Sequence, residues 1–183
     1  MFIIQTERVG LRKFDDCDLK EFAALNSDPE VMTYFPKVLN VEECQQFIIR
    51  VNNKIDEQGF GFWAAEHLKS SRLMGFVGLT CVTYETEFTP AVEIGWRLAK
   101  EYWGRGLATE AARASLDFAF DTLALEEVVS FTSVLNQRSF KVMERIGMKK
   151  VGEFDHPKIE SGHRLRRHVL YNITRSEHVK LRR

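Results

Sequence analysis

The sequence predicts an α/β fold in which about four helices flank a mixed sheet of about seven strands. The chain has 183 residues and 44% hydrophobic content, which suits one domain with a sizeable core. Short β-branched runs alternate along it with segments of helical period. No repeat, low-complexity tract or linker-like stretch interrupts it, so we expect a single domain over residues 1–183.

The first third of the chain predicts one strand and two helices. Apolar and β-branched positions across residues 3–14 indicate the strand. Residues 15–18 offer N-caps to a helix that the Asp28-Pro29 pair ends. Asn40 caps a second helix over residues 41–57, whose apolar positions recur with a helical period.

The rest of the chain predicts six strands and two helices. A long helix with one apolar face follows Gly106, and a shorter one over residues 136–146 is closed by Gly147. The element order β-α-α-β-β-β-α-β-α-β-β therefore places helices on the faces of the sheet. The six strands lie at residues 60–66, 73–82, 92–98, 128–132, about 148–154 and about 165–173.

Composition and charge exclude several classes of protein. Lys+Arg and Asp+Glu both number 26, so no net field attracts nucleic acid. No apolar run approaches the roughly 20 residues of a membrane span, and the start is charged too soon for a signal peptide. Cys17, Cys44 and Cys81 are far apart and odd in number, which suits reduced thiols in the cytoplasm. Neither they nor the histidines have metal-ligand spacing, so we expect no metal.

The most informative stretch is the glycine-punctuated helix start Gly104-Arg105-Gly106-Leu107-Ala108-Thr109. The first amides of a helix lack internal partners, the helix dipole adds positive charge, and glycine lets an anion approach. The stretch therefore predicts a pyrophosphate site. A tight strand-to-helix turn is the competing interpretation. A dinucleotide motif fails because Thr109 is not Gly or Ala, and a kinase-type P-loop fails because no Gly-Lys-Ser/Thr follows.

These residues resemble the GNAT superfamily of N-acetyltransferases, and within it the branch of the ribosomal-protein N-terminal alanine acetyltransferases. The resemblance covers about residues 3–174. Glu101 departs from the Gln or Arg that usually opens the family loop, and Met143 stands where many members have a tyrosine. The resemblance is carried by Thr6-Glu7-Arg8 with Leu11-Arg12, by residues 26–32, by Gly61-Phe62-Trp63, by residues 74–79, by residues 102–111, and by Asn136-Gln137-Arg138-Ser139 with Gly147-Met148.

The resemblance implies a mostly antiparallel, twisted sheet that is splayed between its fourth and fifth strands, at residues 92–98 and 127–133. Acetyl-CoA is the implied co-substrate, with its pantetheine arm in that gap and its pyrophosphate on the glycine-rich loop. The implied contacts with acetyl-CoA come from Trp96, Arg97, Leu98, Gly104, Arg105, Gly106, Leu107, Ala108, Thr109, Asn136 and Ser139.

The chemistry requires a base, because an α-amine (pKa about 8) or a lysine amine (about 10.4) must lose a proton before it attacks a thioester. Glu93 is our first candidate, since it lies on the strand beside the thioester; Glu66 and Glu153 are weaker ones. Ser139 is the hydroxyl expected to protonate the leaving thiolate, because Met143 has no proton to give. A structural carboxylate and an ordinary helix serine are the competing interpretations of Glu93 and Ser139.

The expected acceptor is a protein N-terminal α-amine of the ribosomal type, attacked directly in a ternary complex. A small-molecule amine (polyamine or aminoglycoside) and a catalytically silent acyl-CoA-binding sensor remain alternatives. Basic residues at 164–168 and 180–183 leave a ribosome or RNA contact open. The competing interpretation is that these residues form a solvated strand face and a frayed tail. A homodimer is also left open. The resemblance implies that the first two helices and the loops at 84–91 and 155–163 shape the acceptor site.

Overall fold

One eight-stranded sheet organises residues 1–182, the part of the chain that this computed structural model describes. Its order is β1-β2-β3-β4-β5-β6-β8-β7, and every neighbouring pair is antiparallel except β5 with β6. The strands are β1 (Ile4–Gln5), β2 (Val9–Arg12), β3 (Phe62–His67), β4 (Arg72–Cys81), β5 (Val92–Leu98), β6 (Glu127–Ser133), β7 (Lys149–Asp155) and β8 (Arg167–Thr174).

Five α-helices flank the sheet, and local sequence sets their ends. Asn40 and Glu43 form a reciprocal capping box at the start of α2, and Gly59 closes that helix with a left-handed φ of 79°. Within residues 1–182 no helix is long and apolar enough to cross a bilayer. The helices are α1 (Asp18–Ser27), α2 (Val41–Gln58), α3 (Leu107–Asp117), α4 (Gln137–Arg145) and α5 (Arg175–Leu181).

Strand alternation divides the core into two layers, one on each face of the sheet. Along β3, Trp63 and Ala65 pack into the layer beneath α3 and α4, whereas Ala64 points to the layer beneath α1 and α2. Phe22 and Phe76 fill that second layer. The mixed, mostly antiparallel α/β fold predicted from the sequence is therefore confirmed.

Three details of the prediction were wrong. Residues 3–14 form two strands, because Thr6 N–H donates to the Val9 carbonyl at 2.9 Å and reverses the chain. The helix after Gly106, predicted to have Phe118 and Leu123 on its apolar face, is α-helical only as far as Asp117. A π-helical turn over Phe118–Thr122 follows it. The C-terminal segment, for which a frayed tail was the alternative to an RNA contact, forms α5, so residues 1–182 hold eight strands and five α-helices.

The fifth helix is held by its cap and by contacts with the rest of the fold. Thr174 caps it in a reciprocal box with Glu177, a Thr-x-x-Glu signal that is visible in the sequence. His178 Nε2 lies 2.7 Å from Asp117 Oδ1. Gly147, with a φ of 89°, leaves room for Leu181, since a Cβ there would lie 2.0 Å from Leu181 Cδ1. Gly147 therefore both ends α4 and admits α5.

We predict that Gly147→Ala lowers the free energy of unfolding by about 2–3 kcal/mol in urea denaturation, from left-handed strain plus the displacement of the Leu181 side chain from its place on Gly147. Gly162→Ala is the matched control, because Gly162 also has a positive φ (82°) but a Cβ there would meet nothing within 4 Å. The control should cost only about 1 kcal/mol. Equal losses in the two variants would mean that α5 does not pack on Gly147.

Candidate active site

The sheet opens between β5 and β6, its one parallel pair of neighbours. The two strands share a single bridge, Glu93 with Val129. One residue later, Ser130 Oγ donates to the Ile94 carbonyl at 2.9 Å. Beyond that point towards their C-terminal ends the strands make no further pairing, which confirms the predicted splay.

The backbone of β5 presents alternate residues to this gap. Ala99 N–H donates to the Met74 carbonyl at 2.8 Å, which places Ala99 on the β4 side. Because backbone groups alternate along a strand, Arg97 also faces β4, whereas Trp96 and Leu98 face the gap. The expected contact from the Arg97 backbone is therefore directed away from the gap.

The loop that follows β5 is a cradle of unpaired amides. Gly104 and Gly106 have left-handed φ values of 71° and 78°, and α3 begins at Leu107. Within the described residues, none of the amides from 104 to 109 donates a backbone hydrogen bond. A Cβ built on Gly104 would meet nothing within 4 Å, so the loop lies open. Such amides at a helix N-terminus suit a pyrophosphate.

A clamp from the turn between β1 and β2 fixes this loop. Glu110, in the first turn of α3, accepts hydrogen bonds from Thr6 Oγ1 at 2.6 Å and from the Arg8 amide at 2.9 Å. Arg8 Nη1 also donates to the Arg105 carbonyl at 3.0 Å. The sequence carries no signal that joins positions about 100 residues apart, and we did not predict this clamp.

Aromatic and cationic groups line the mouth of the gap. Trp103 Nε1 donates to the Leu98 carbonyl at 2.8 Å, which anchors the loop to the end of β5. The Arg138 guanidinium, from the first turn of α4, lies 4.4 Å from the Trp103 ring centroid. The start of α4 therefore meets the glycine-rich loop and adds a positive charge beside it.

Asn136 and Ser139 lie together at the N-terminus of α4. Asn136 caps the helix, and its Nδ2 lies 3.0 Å from Thr132 Oγ1 and 3.2 Å from Ser139 Oγ. Ser139 Oγ accepts there and keeps its own proton available. Met143 is only 1% exposed within the core, so the position of the family tyrosine is filled by a packing residue.

Glu93 is a partly buried carboxylate with no stabilising partner close by. Burial raises its pKa from 4.5 to about 8, and Lys54 on α2 opposes that rise only in part. Lys54 Nζ hydrogen-bonds Thr80 Oγ1 at 3.3 Å, and Thr80 pairs with Glu93 across β4 and β5. A carboxyl group with such a pKa exchanges protons near neutral pH.

The two weaker candidates for the base are engaged elsewhere. Glu66 forms a 2.8 Å ion pair with Arg12. Glu153 lies on edge strand β7, paired with Lys150 at 2.7 Å and with Arg167 at 3.2 Å. These pairs lower the pKa of Glu153. The structure therefore brings neither carboxylate to the gap, and Glu93 is the candidate that remains.

Other charged and polar groups share the face of Glu93. Arg97 hydrogen-bonds Asn26, and its guanidinium lies 3.8 Å from the Phe35 ring centroid. Burial lowers the pKa of Arg97 to about 10. The Tyr84 hydroxyl is buried without a hydrogen-bond partner among residues 1–182, and burial followed by the charge of Glu93 raises its pKa. No motif in the sequence marks Tyr84 as a site residue.

The basic residues near the C-terminus face carboxylates. Arg167 pairs with Glu153 at 3.2 Å, and Arg182 pairs with Asp121 at 2.7 Å. Arg183, the last residue of the second basic stretch, lies outside the described residues. Across residues 1–182, no group of three or more His, Cys, Asp or Glu side chains is arranged to hold a metal ion.

Comparison with known proteins identifies the family. The sequence matches the model of the acetyltransferase (GNAT) domain over residues 8–149. It is 33% identical over 146 residues to the uncharacterized protein YkkB of Bacillus subtilis, spanning 78% of this chain and 83% of that one. It is 30% identical over 172 residues to an FsC-acetyl coenzyme A-N(2)-transacetylase of Aspergillus fumigatus, spanning 87% of this chain and 70% of the relative.

Solved structures agree with this match. The crystal structure of a GNAT-family acetyltransferase from Bacillus anthracis superposes with a TM-score of 0.79 at 29% identity, covering 97% of this chain and 100% of the other. The family model alone spans well over half of the chain. The chain therefore belongs to the GNAT family and is an acetyl-CoA-dependent N-acetyltransferase.

Proposed function

We propose that this enzyme, acting as one domain over residues 1–183, acetylates the α-amine at a protein N-terminus, as ribosomal-protein acetyltransferases do. Transfer takes place by direct attack of the amine in a ternary complex. The observation that carries the proposal is the place of Glu93, a partly buried carboxylate at the bridge between β5 and β6, whose burial raises its pKa to about 8. An α-amine also has a pKa of about 8, so the acceptor amine and the Glu93 carboxylate bind the transferred proton with nearly equal affinity.

The same comparison disfavours more basic amines. A lysine side-chain amine has a pKa of about 10.4, and transfer of its proton to Glu93 would be uphill by over two pKa units.

The chain's own groups account for binding of acetyl-CoA, which supplies the acetyl thioester. The unpaired amides of residues 104–109 would hold the pyrophosphate, with Arg138 beside them. The Trp96 backbone and the Leu98 amide would pair with the pantetheine arm, since the Leu98 carbonyl already accepts from Trp103 Nε1, and Asn136 would hydrogen-bond the arm. Ser139 would donate its free hydroxyl proton to the departing thiolate, whose pKa of about 8.5 requires only modest assistance.

A small-molecule amine is the second candidate acceptor. The observation that favours it is the 30% identity to the Aspergillus transacetylase, whose name denotes an N(2)-acetyl transfer. Both candidate acceptors need one deprotonated amine beside Glu93. In one the amine belongs to a polypeptide N-terminus, and in the other it belongs to a small molecule. A panel of short peptides and small amines, read by release of the CoA thiol, separates them.

We predict that Gly104→Glu abolishes acetyl-CoA binding in calorimetric titration while the protein stays folded. The new carboxylate would repel the pyrophosphate, and the open surroundings of Gly104 accommodate a side chain. Gly104→Ala is the matched control, because it has the same backbone strain without the charge. Retained affinity in a folded Gly104→Glu protein would exclude the loop as the pyrophosphate site.

We predict that kcat on an N-terminal peptide rises with pH with a midpoint near 8, because Glu93 must be ionised to accept the proton. Glu93→Gln should lower kcat about 10²–10³-fold at pH 7, with acetyl-CoA affinity unchanged, and leave only the ionisation of the peptide's own α-amine in the profile. Glu153→Gln is the control and should keep the wild-type kcat at pH 7. A Glu93→Gln enzyme with the wild-type kcat at pH 7 would rule out the base.

The raised pKa of Glu93 also predicts a stability effect that is independent of catalysis. Between pH 4.5 and about 8 the unfolded chain releases this proton while the folded protein retains it, so wild-type stability falls as pH rises. The glutamine of Glu93→Gln does not ionise, so the variant does not lose this stability. Its melting temperature minus that of the wild type should therefore increase from pH 4.5 to about 8. A constant difference between the two proteins would show that the folded pKa is not raised.

A further inference from the structure

Six aromatic side chains form a group outside both core layers. Its contacts are close: ring centroids lie 4.9 Å apart for Tyr84 and His156, 5.0 Å for Phe88 and Phe154, and 5.5 Å for Phe131 and Phe154. All but one of the six are partly exposed. We call it the ring cluster, and its members are Tyr84, Phe88, Phe131, Phe154, His156 and His168.

The ring cluster lies on the same face of the sheet as Glu93. Glu93 pairs with Val129, and Phe131 follows Val129 by two residues, so Glu93 and Phe131 point to one face. Thr132 points to the opposite face, where it hydrogen-bonds Asn136 at the start of α4. The rings are therefore next to the carboxylate and separated by the sheet from α4.

The electrostatics of the ring cluster suit an uncharged guest. Burial lowers the pKa of His156 to about 4 and lowers that of His168, so both imidazoles are neutral at physiological pH. No carboxylate belongs to the cluster, and Lys158 Nζ lies 5.3 Å from the Tyr84 ring centroid. A second cation on the acceptor would be repelled here.

The Tyr84 hydroxyl indicates that a polar partner is missing from this place. It is buried, it has no hydrogen-bond partner among residues 1–182, and it lies near enough to Glu93 to be influenced by its charge. An unpaired buried hydroxyl costs free energy until a partner arrives. A peptide acceptor provides one in the carbonyl of its first residue, next to the reacting amine.

We infer that the ring cluster binds the side chain of the acceptor's first residue and selects an aromatic or large apolar one. The inference rests on the proposed function and narrows it. A ring on the acceptor would pack edge-on or offset against Phe131 and Phe154. An alanine side chain would leave those rings in water, and a lysine side chain would place its charge among neutral rings and beside Lys158.

The test uses two pairs of acceptors that each differ by one ring. The first pair is a tetrapeptide with N-terminal Phe or Ala, and the second is 2-phenylethylamine or ethylamine. Release of the CoA thiol by the full-length enzyme gives kcat/KM for each. The ring-bearing member should be favoured by at least about tenfold, the scale at which apolar pockets discriminate.

Variants locate the effect. Phe131→Ala and Phe154→Ala should each reduce the Phe-to-Ala peptide ratio at least about fivefold, with acetyl-CoA affinity unchanged. Tyr84→Phe should raise KM for both peptides alike, because it removes a contact with the backbone and not with the side chain. Phe2→Ala is the control and should retain the wild-type ratio, since the Phe2 ring lies on Gly10 beside β2, far across the sheet.

Each outcome separates this inference from the proposed function. Turnover of both peptides at equal rates would overturn the ring cluster's role and keep the α-amine acceptor. A ring preference confined to the small amines would support the cluster and overturn the α-amine acceptor. No turnover of any of the four, with acetyl-CoA bound, would overturn both.

Discussion

The single parallel bridge between β5 and β6 is the constraint on which the rest of the structure depends. Parallel neighbours need a crossover, and α3 provides it, so the C-terminal ends of both strands meet at one edge of the sheet. The helices that follow them, α3 and α4, therefore begin side by side. The free amides at the start of α3 and the Arg138 guanidinium from α4 make that edge positive, while the diverging strands leave the Trp96 backbone and the Leu98 amide without a strand partner.

The same bridge gives the two sides of the gap different chemistry. At the edge, the amides of residues 104–109 are unpaired and open, and there the helix dipole and the glycine geometry suit an anion. On the face of Glu93, burial and aromatic rings leave a carboxylate poorly solvated, and its pKa rises towards that of an α-amine. In the proposed mechanism, affinity for acetyl-CoA and proton transfer from the acceptor would depend on separate groups, so they should respond to separate substitutions.

Local sequence patterns predicted much of the fold and the glycine-punctuated start of α3. The alternation at residues 92–98 predicted β5 to the residue, and Asn40 and Gly59 marked the ends of α2. The helix α5 was missed although Thr174 and Glu177 carry a capping box. What local sequence could not predict depends on distant contacts: the clamp on Glu110, the burial that shifts the pKa of Glu93, and a ring cluster drawn from several strands and loops.

The most direct measurement of the central claim uses one peptide that carries both a free α-amine and a lysine side chain. After reaction with acetyl-CoA, fragmentation mass spectrometry assigns the acetyl group to one amine or the other. If Glu93, with its pKa of about 8, takes the acceptor's proton, the acetyl group should be found on the α-amine alone. Acetylation of the lysine at a comparable rate would contradict the account.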